Sequence, residues 1–173
     1  SRTIENLTSY LDNNHQSMTI YKTDIAHPEN QKLSFAQERL WFIEKYEEGT
    51  NAYNLPMVFL LLPTTNLITL KTSIQAIVQR HEILRTVIKE SSEGSGYQFV
   101  LNDTDNFLEI ETVYVTSQEQ LNETINSEVN HIYDLKTEHP IRVSFYELND
   151  LLTGKKENYL SIFLHYIFFY IQQ

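Results

Sequence analysis

Tyr159-Leu160-Ser161-Ile162-Phe163-Leu164-His165-Tyr166-Ile167-Phe168-Phe169-Tyr170-Ile171 is a 13-residue apolar run broken only by Ser161 and His165. It is short of the ~20 residues a membrane-spanning helix needs. Its aromatic and branched residues read as a buried strand over Tyr159–Phe168. Upstream, Ile141–Leu148 has the same character, and Gly154-Lys155 lies between the two. The pair reads as a β-hairpin, which makes part of any sheet antiparallel.

Outward from the hairpin, the pattern alternates between helical and extended periods. Ser34 and Gln37 form an S-x-x-Q capping box that opens a helix, with Leu40, Trp41 and Ile43 as its buried stripe and Gly49 closing it. Met57–Leu62, bounded by Pro56 and Pro63, reads as a buried strand. A second helix starts near Thr65 or Asn66 and carries Leu67, Leu70, Ile74, Ile77 and Val78 on one face. Leu84–Lys89, Tyr97–Leu101 and Leu108–Val115 read as strands, with a Ser/Gly-rich turn at Ser91–Gly96. Ser117 and Gln120 repeat the capping box before a third helix bearing Leu121, Ile125, Val129 and Ile132. The fold class is α+β, an α/β sandwich with helices packed on a mixed sheet. The first 15 residues read as a short amphipathic helix, and 16–31, with His27-Pro28, as a linker.

The chain has 173 residues, with 13 Lys+Arg against 23 Asp+Glu, a net charge of −10. Hydrophobic residues make up 41% and aromatics 12%, enough to build a core. The acid excess, without any basic run, argues against binding nucleic acid. Absence of Cys removes disulfides, Cys-ligated metal and thiol chemistry, and fits a cytoplasmic setting. His15, His27, His131 and His139 are scattered without an acidic neighbour at ligand spacing, so no metal site is expected. No membrane association is expected either.

Three stretches carry a resemblance. Ser34-Phe35-Ala36-Gln37-Glu38-Arg39-Leu40-Trp41, followed by Asn51-Ala52-Tyr53-Asn54-Leu55-Pro56, resembles the opening motif of the condensation domains of nonribosomal peptide synthetases. Arg80-His81-Glu82-Ile83-Leu84-Arg85-Thr86 resembles that family's R-H-E-x-L-R-T motif. The apolar run around His165 resembles the strand that leads to its H-H-x-x-x-D-G motif. The resemblance spans about residues 32–171 and implies the first lobe of a chloramphenicol-acetyltransferase-like fold, cut short within 32–173. Residues 3–11 resemble the last helix of a peptidyl carrier domain.

The implied parent activity is amide bond formation between carrier-bound aminoacyl thioesters, in a tunnel between two lobes. No cofactor would bind this chain directly, because phosphopantetheine belongs to the partner carrier domains. Within the catalytic motif, His165 matches the first His, Tyr166 the second and catalytic His, Tyr170 the Asp and Ile171 the Gly. A phenol with an ordinary pKa near 10 is a poor base at pH 7, and loss of a general base costs ~10²–10⁴ in rate. On a strand His165 and Tyr166 would face opposite sides, so His165 would not substitute. Ile171 would resist the positive φ that Gly allows.

Each motif residue also has a structural reading. Ser34 and Gln37 are explained by a helix cap. Arg39 and Trp41 are expected to pack and bridge within the lobe. Arg80, His81, Glu82 and Arg85 read as a structural stretch with an Arg–Glu ion pair at helical spacing. The expected partners are carrier proteins and a second lobe, with self-association through the exposed aromatic strand. Rival readings are a non-catalytic carrier-docking module, half of a split acyltransferase, and a gene product without a role.

Overall fold

The computed structural model describes residues 31–47, 49–102 and 107–168. The hairpin forms its centre. β6 (Ile141–Asn149) and β7 (Lys156–His165) pair antiparallel, with Ile141 opposite Leu164, Val143 opposite Ile162 and Phe145 opposite Leu160. β2 (Asn54–Leu60) adds antiparallel to β7, and β5 (Glu111–Val115) adds parallel to β6. The result is a mixed four-stranded sheet in the order β2-β7-β6-β5.

Alternation along β6 and β7 sends two sets of side chains to opposite faces. Val143, Phe145 and Leu160 meet Ile74 and Val78 of α2 (Leu67–Arg80), with Leu67 and Leu70 beside them. On the other face Tyr146 and Leu148 meet Leu121 and Ile125 of α3 (Gln118–Val129). Two helices therefore enclose the middle strands, an α/β sandwich.

A second sheet, β1-β4-β3, is built from β1 (Gln31–Lys32), β4 (Gly96–Val100) and β3 (Thr86–Glu90). α1 (Phe35–Tyr46) lies against it through Leu40 and Trp41, in a cluster with Leu33, Ile88, Tyr133, Leu135, Ile167 and Phe168. Gly96 is required there, since a Cβ would stand 2.8 Å from Leu33 Cδ1 and 3.1 Å from Trp41 Cδ2.

Several boundaries differ from the sequence reading. β1 begins at Gln31, inside the stretch read as linker. β7 stops at His165, and Tyr166–Phe168 turn into a 3₁₀ helix where a strand was expected. β5 is shorter than Leu108–Val115, yet Leu108 and Ile110 are buried all the same. α3 ends at Val129, leaving Ile132 outside it and exposed. The repeated capping box is only half formed: Ser117 Oγ accepts from the Gln120 N–H at 3.1 Å, but Gln120 Oε1 accepts from the Thr116 N–H at 2.9 Å.

The largest departure is β2. Its apolar run implied burial, but Val58, Phe59 and Leu60 are exposed. β2 is the edge of its sheet, and α2 and α3 pack over the strands inside it. The strand also runs through Pro56 rather than starting after it. Leu61 N–H donates to Asn158 O and Tyr166 N–H donates to Tyr53 O, so odd-numbered residues of this segment face β7. Pro56 falls on the outward alternation, where its missing N–H costs no ladder bond.

Candidate functional site

The site lies where β7 ends. His165 is 0% exposed. Its N–H donates to Pro140 O at 2.9 Å, and in the β2 register it sits opposite Asn54. One residue later the chain leaves the sheet, and Tyr166 N–H donates to Tyr53 O at 2.9 Å. Tyr166 is half-buried. The two adjacent residues thus differ in burial, His165 sealed and Tyr166 half-buried, continuing the alternation of Ser161–Leu164.

Around His165 the imidazole is walled by aromatic rings. Tyr133 stands edge-on with centroids 5.5 Å apart, and Tyr53 lies at 6.3 Å. Tyr133 is itself fixed by donating its hydroxyl to Phe163 O at 3.0 Å, and burial pushes its phenol well above the ordinary value. Ile167 N–H points at His165 Nδ1 at 3.4 Å. On the opposite side Nε2 lies 3.5 Å from Glu44 Oε1 of α1.

α1 delivers Glu44 by simple periodicity. Ser34 Oγ accepts from the Gln37 N–H at 3.3 Å, and Gln37 Oε1 accepts from the Ser34 N–H at 2.9 Å, the full capping box. Gln37, Leu40, Trp41 and Glu44 then recur on one face, and the two most buried positions of the helix are polar. Glu44 is 8% exposed, and its Oε2 accepts from the Thr50 N–H at 3.2 Å. Gly49 (φ +89°) closes the helix, with its N–H on Glu44 O at 3.0 Å. Glu44 was not singled out from the sequence. The available signal was its place seven residues after Gln37, on the line of the buried stripe.

The remaining candidates are dispersed. Trp41 packs in the core, with Lys45 Nζ 4.9 Å from its ring centre. Arg39, expected to bridge, is exposed and forms no ion pair with a described residue. Arg80 ends α2 and His81 caps it through its backbone N–H to Ile77 O at 3.0 Å; both are exposed. Glu82 and Arg85 make the anticipated pair at 3.7 Å, and Arg85 Nη1 donates to Leu101 O at 2.6 Å. That stretch is a structural corner between α2 and β3. Tyr170 and Ile171, like the helix expected at 1–15, lie outside the described residues. His131, read as isolated, bonds Glu138 at 2.7 Å. Among the described residues, no group of three or more His, Asp or Glu is arranged to hold a metal, and no helix is long and apolar enough to cross a membrane.

A mixed sheet between helices, with a histidine at the end of its central hairpin strand, is the architecture of the chloramphenicol-acetyltransferase-like condensation domains. The chain belongs to the Condensation domain family, whose sequence profile matches residues 28–167. It is 34% identical over 152 residues to N-(5-amino-5-carboxypentanoyl)-L-cysteinyl-D-valine synthase of Amycolatopsis lactamdurans, covering 88% of this chain and 4% of that protein. It is 32% identical over 140 residues to a dimodular nonribosomal peptide synthase of Bacillus subtilis (strain 168), covering 81% of this chain and 6% of the other. Among solved structures, the X-domain from teicoplanin biosynthesis aligns with a TM-score of 0.67 at 24% identity, over 83% of this chain and 29% of that one. The condensation domain of the Monacolin K polyketide synthase MokA aligns with a TM-score of 0.65 at 22% identity, over 78% and 29%. These likenesses establish the fold, and the chain spans a small part of each relative.

Proposed function

We propose that the chain is the first lobe of a condensation domain from a nonribosomal peptide synthetase, and that it contributes carrier recognition rather than catalysis. The parent reaction is attack of a carrier-bound amine on a carrier-bound acyl thioester, forming an amide. One observation carries the reading: the imidazole adjacent to Tyr166, the residue that the resemblance sets at the catalytic base, is sealed against Glu44 and two tyrosines. A neutral phenol does not take up the amine proton at pH 7. A buried imidazole does not reach a substrate.

The recognition role rests on α1. Phe35, Phe42 and Tyr46 are 80%, 55% and 70% exposed, and they recur at seven- and four-residue intervals on the side opposite Gln37 and Glu44. The Phe42 and Tyr46 rings touch, with centroids 4.2 Å apart, and exposed Arg39 flanks them. Such a stripe suits a protein partner, and the proposed occupant is a carrier domain whose phosphopantetheine arm enters the tunnel.

The test supplies the chain with a second lobe and loaded carriers. The unaltered chain is expected to give no amide product above a carrier-only control, while Tyr166→His raises the rate by roughly 10²-fold or more. Product from the unaltered chain would refute the non-catalytic reading. A carrier titration tests recognition: saturable binding that weakens at least about tenfold in Phe42→Ser/Tyr46→Ser is expected, and flat curves would remove it.

A further inference from the structure

Glu44 and His165 are 121 positions apart in the chain, and both are buried ionisable side chains. Three contacts fix them. Ile167 N–H occupies the Nδ1 lone pair of His165 at 3.4 Å. Thr50 N–H occupies one oxygen of Glu44. What remains is Nε2 on one side and Oε1 on the other, 3.5 Å apart, both sealed from solvent, each the other's near polar neighbour and neither hydrogen-bonded to a described residue. A ring whose Nδ1 accepts must carry its proton on Nε2, and that proton faces the carboxylate. Burial makes an unmatched polar atom costly on either side, so each group is retained only with the other present.

We infer that Glu44 is a positioning residue: through the His165 imidazole it fixes the turn that carries Tyr166. The pair joins α1 to the end of β7, next to the packing of Leu40 and Trp41 with Ile167 and Phe168. Glu44 holds the 49–50 corner after α1, and His165 ends β7 immediately before the 3₁₀ turn. Tyr53 and Tyr133 confine the ring from its remaining sides, so rotation of the imidazole needs both to move. The ~490 Å³ cleft lined by Trp41, Glu44, Lys45 and Tyr133 lies on the Glu44 side of the pair. Lys45, which also lines that cleft, is engaged by Glu90 at 2.6 Å, and Glu44 faces the imidazole of His165.

The inference depends on the proposed function only for the importance it gives to Tyr166. Nitrogen NMR of the full chain with ring-labelled histidine tests it separately. The His165 signals should show a protonated Nε2 and an unprotonated Nδ1, the Nε2 proton exchanging slowly with water. In Glu44→Leu the Nε2 signal should move or broaden, and the Tyr166 and Ile167 amides should exchange about tenfold faster or more. In Glu44→Gln, which keeps an acceptor, slow exchange at these amides should persist. A wild-type ring protonated on Nδ1, or an Nε2 proton in rapid exchange, overturns the inference even if Glu44→Leu does not fold. Unchanged ring signals and amide exchange in a folded Glu44→Leu overturn it equally. Turnover assays leave this result untouched, so the two readings fail independently.

Discussion

At the scale of single residues, the end of β7 sets two neighbours in different surroundings, His165 buried and Tyr166 half-buried. Tyr166 donates its N–H to Tyr53 O at 2.9 Å, which fixes its backbone at the start of the 3₁₀ turn. His165 is different, because everything around it is built for an imidazole. Tyr133 belongs to that surround. Tyr133→Phe removes the hydroxyl that meets Phe163 O. It should cost about 1 kcal/mol in urea unfolding, and it should shift the His165 ring signals because the neighbouring ring loses its anchor. A variant as stable as the unaltered chain would show that the hydroxyl merely fills space.

At the scale of elements, the termini decide. Ser34→Ala removes the half of the α1 capping box in which Ser34 Oγ accepts from the Gln37 N–H, and it should lower stability by about 1 kcal/mol; thermal melts that coincide with the unaltered protein would contradict this. Ser117→Ala should cost a similar amount, since Ser117 Oγ likewise accepts from one backbone N–H, that of Gln120. The β6–β7 connection is held by Asp150, whose Oδ1 accepts from the Thr153 and Leu152 N–H groups at 2.9 Å each. The Thr153 N–H is the main cause that holds its carboxyl below the ordinary value of 3.8. A carboxyl lowered by folding stabilises fully above its unfolded pKa, and that contribution disappears as pH falls through the lower, folded one. The melting temperature should therefore drop on acidification below about pH 4, with a shallower drop in Asp150→Asn. Parallel acid profiles for the two proteins would exclude Asp150 as a contributor.

At the scale of the whole molecule, the open edge of the four-stranded sheet is the exposed liability. β2 turns its even-numbered backbone groups outward, and its apolar side chains are exposed. Pro56 interrupts that edge by removing one outward donor, a common defence against edge-to-edge pairing. Pro56→Val should restore a continuous edge and produce concentration-dependent association in size-exclusion chromatography. A variant that elutes unchanged across concentrations would show that the edge is protected by something other than the proline.

By itself the sequence determined what is local. The α1 cap and its closing glycine, the Asn66 start of α2, the hairpin and the Glu82–Arg85 pair all follow from spacings of a few residues, whose energetics need no distant partner. The motifs likewise placed the chain in its family. Tertiary structure decided the rest. Met57–Leu62 reads as core in any local window, but exposure of β2 depends on where two helices end. The strand ends at His165 although Tyr53 O, far upstream, still accepts from the next amide in the β2 register. Glu44 looks like a solvated helix residue until the fold sets β7 against it. Burial and pairing are properties of what lies opposite, and in this chain the residue opposite His165 Nε2 comes from the first helix of the described structure.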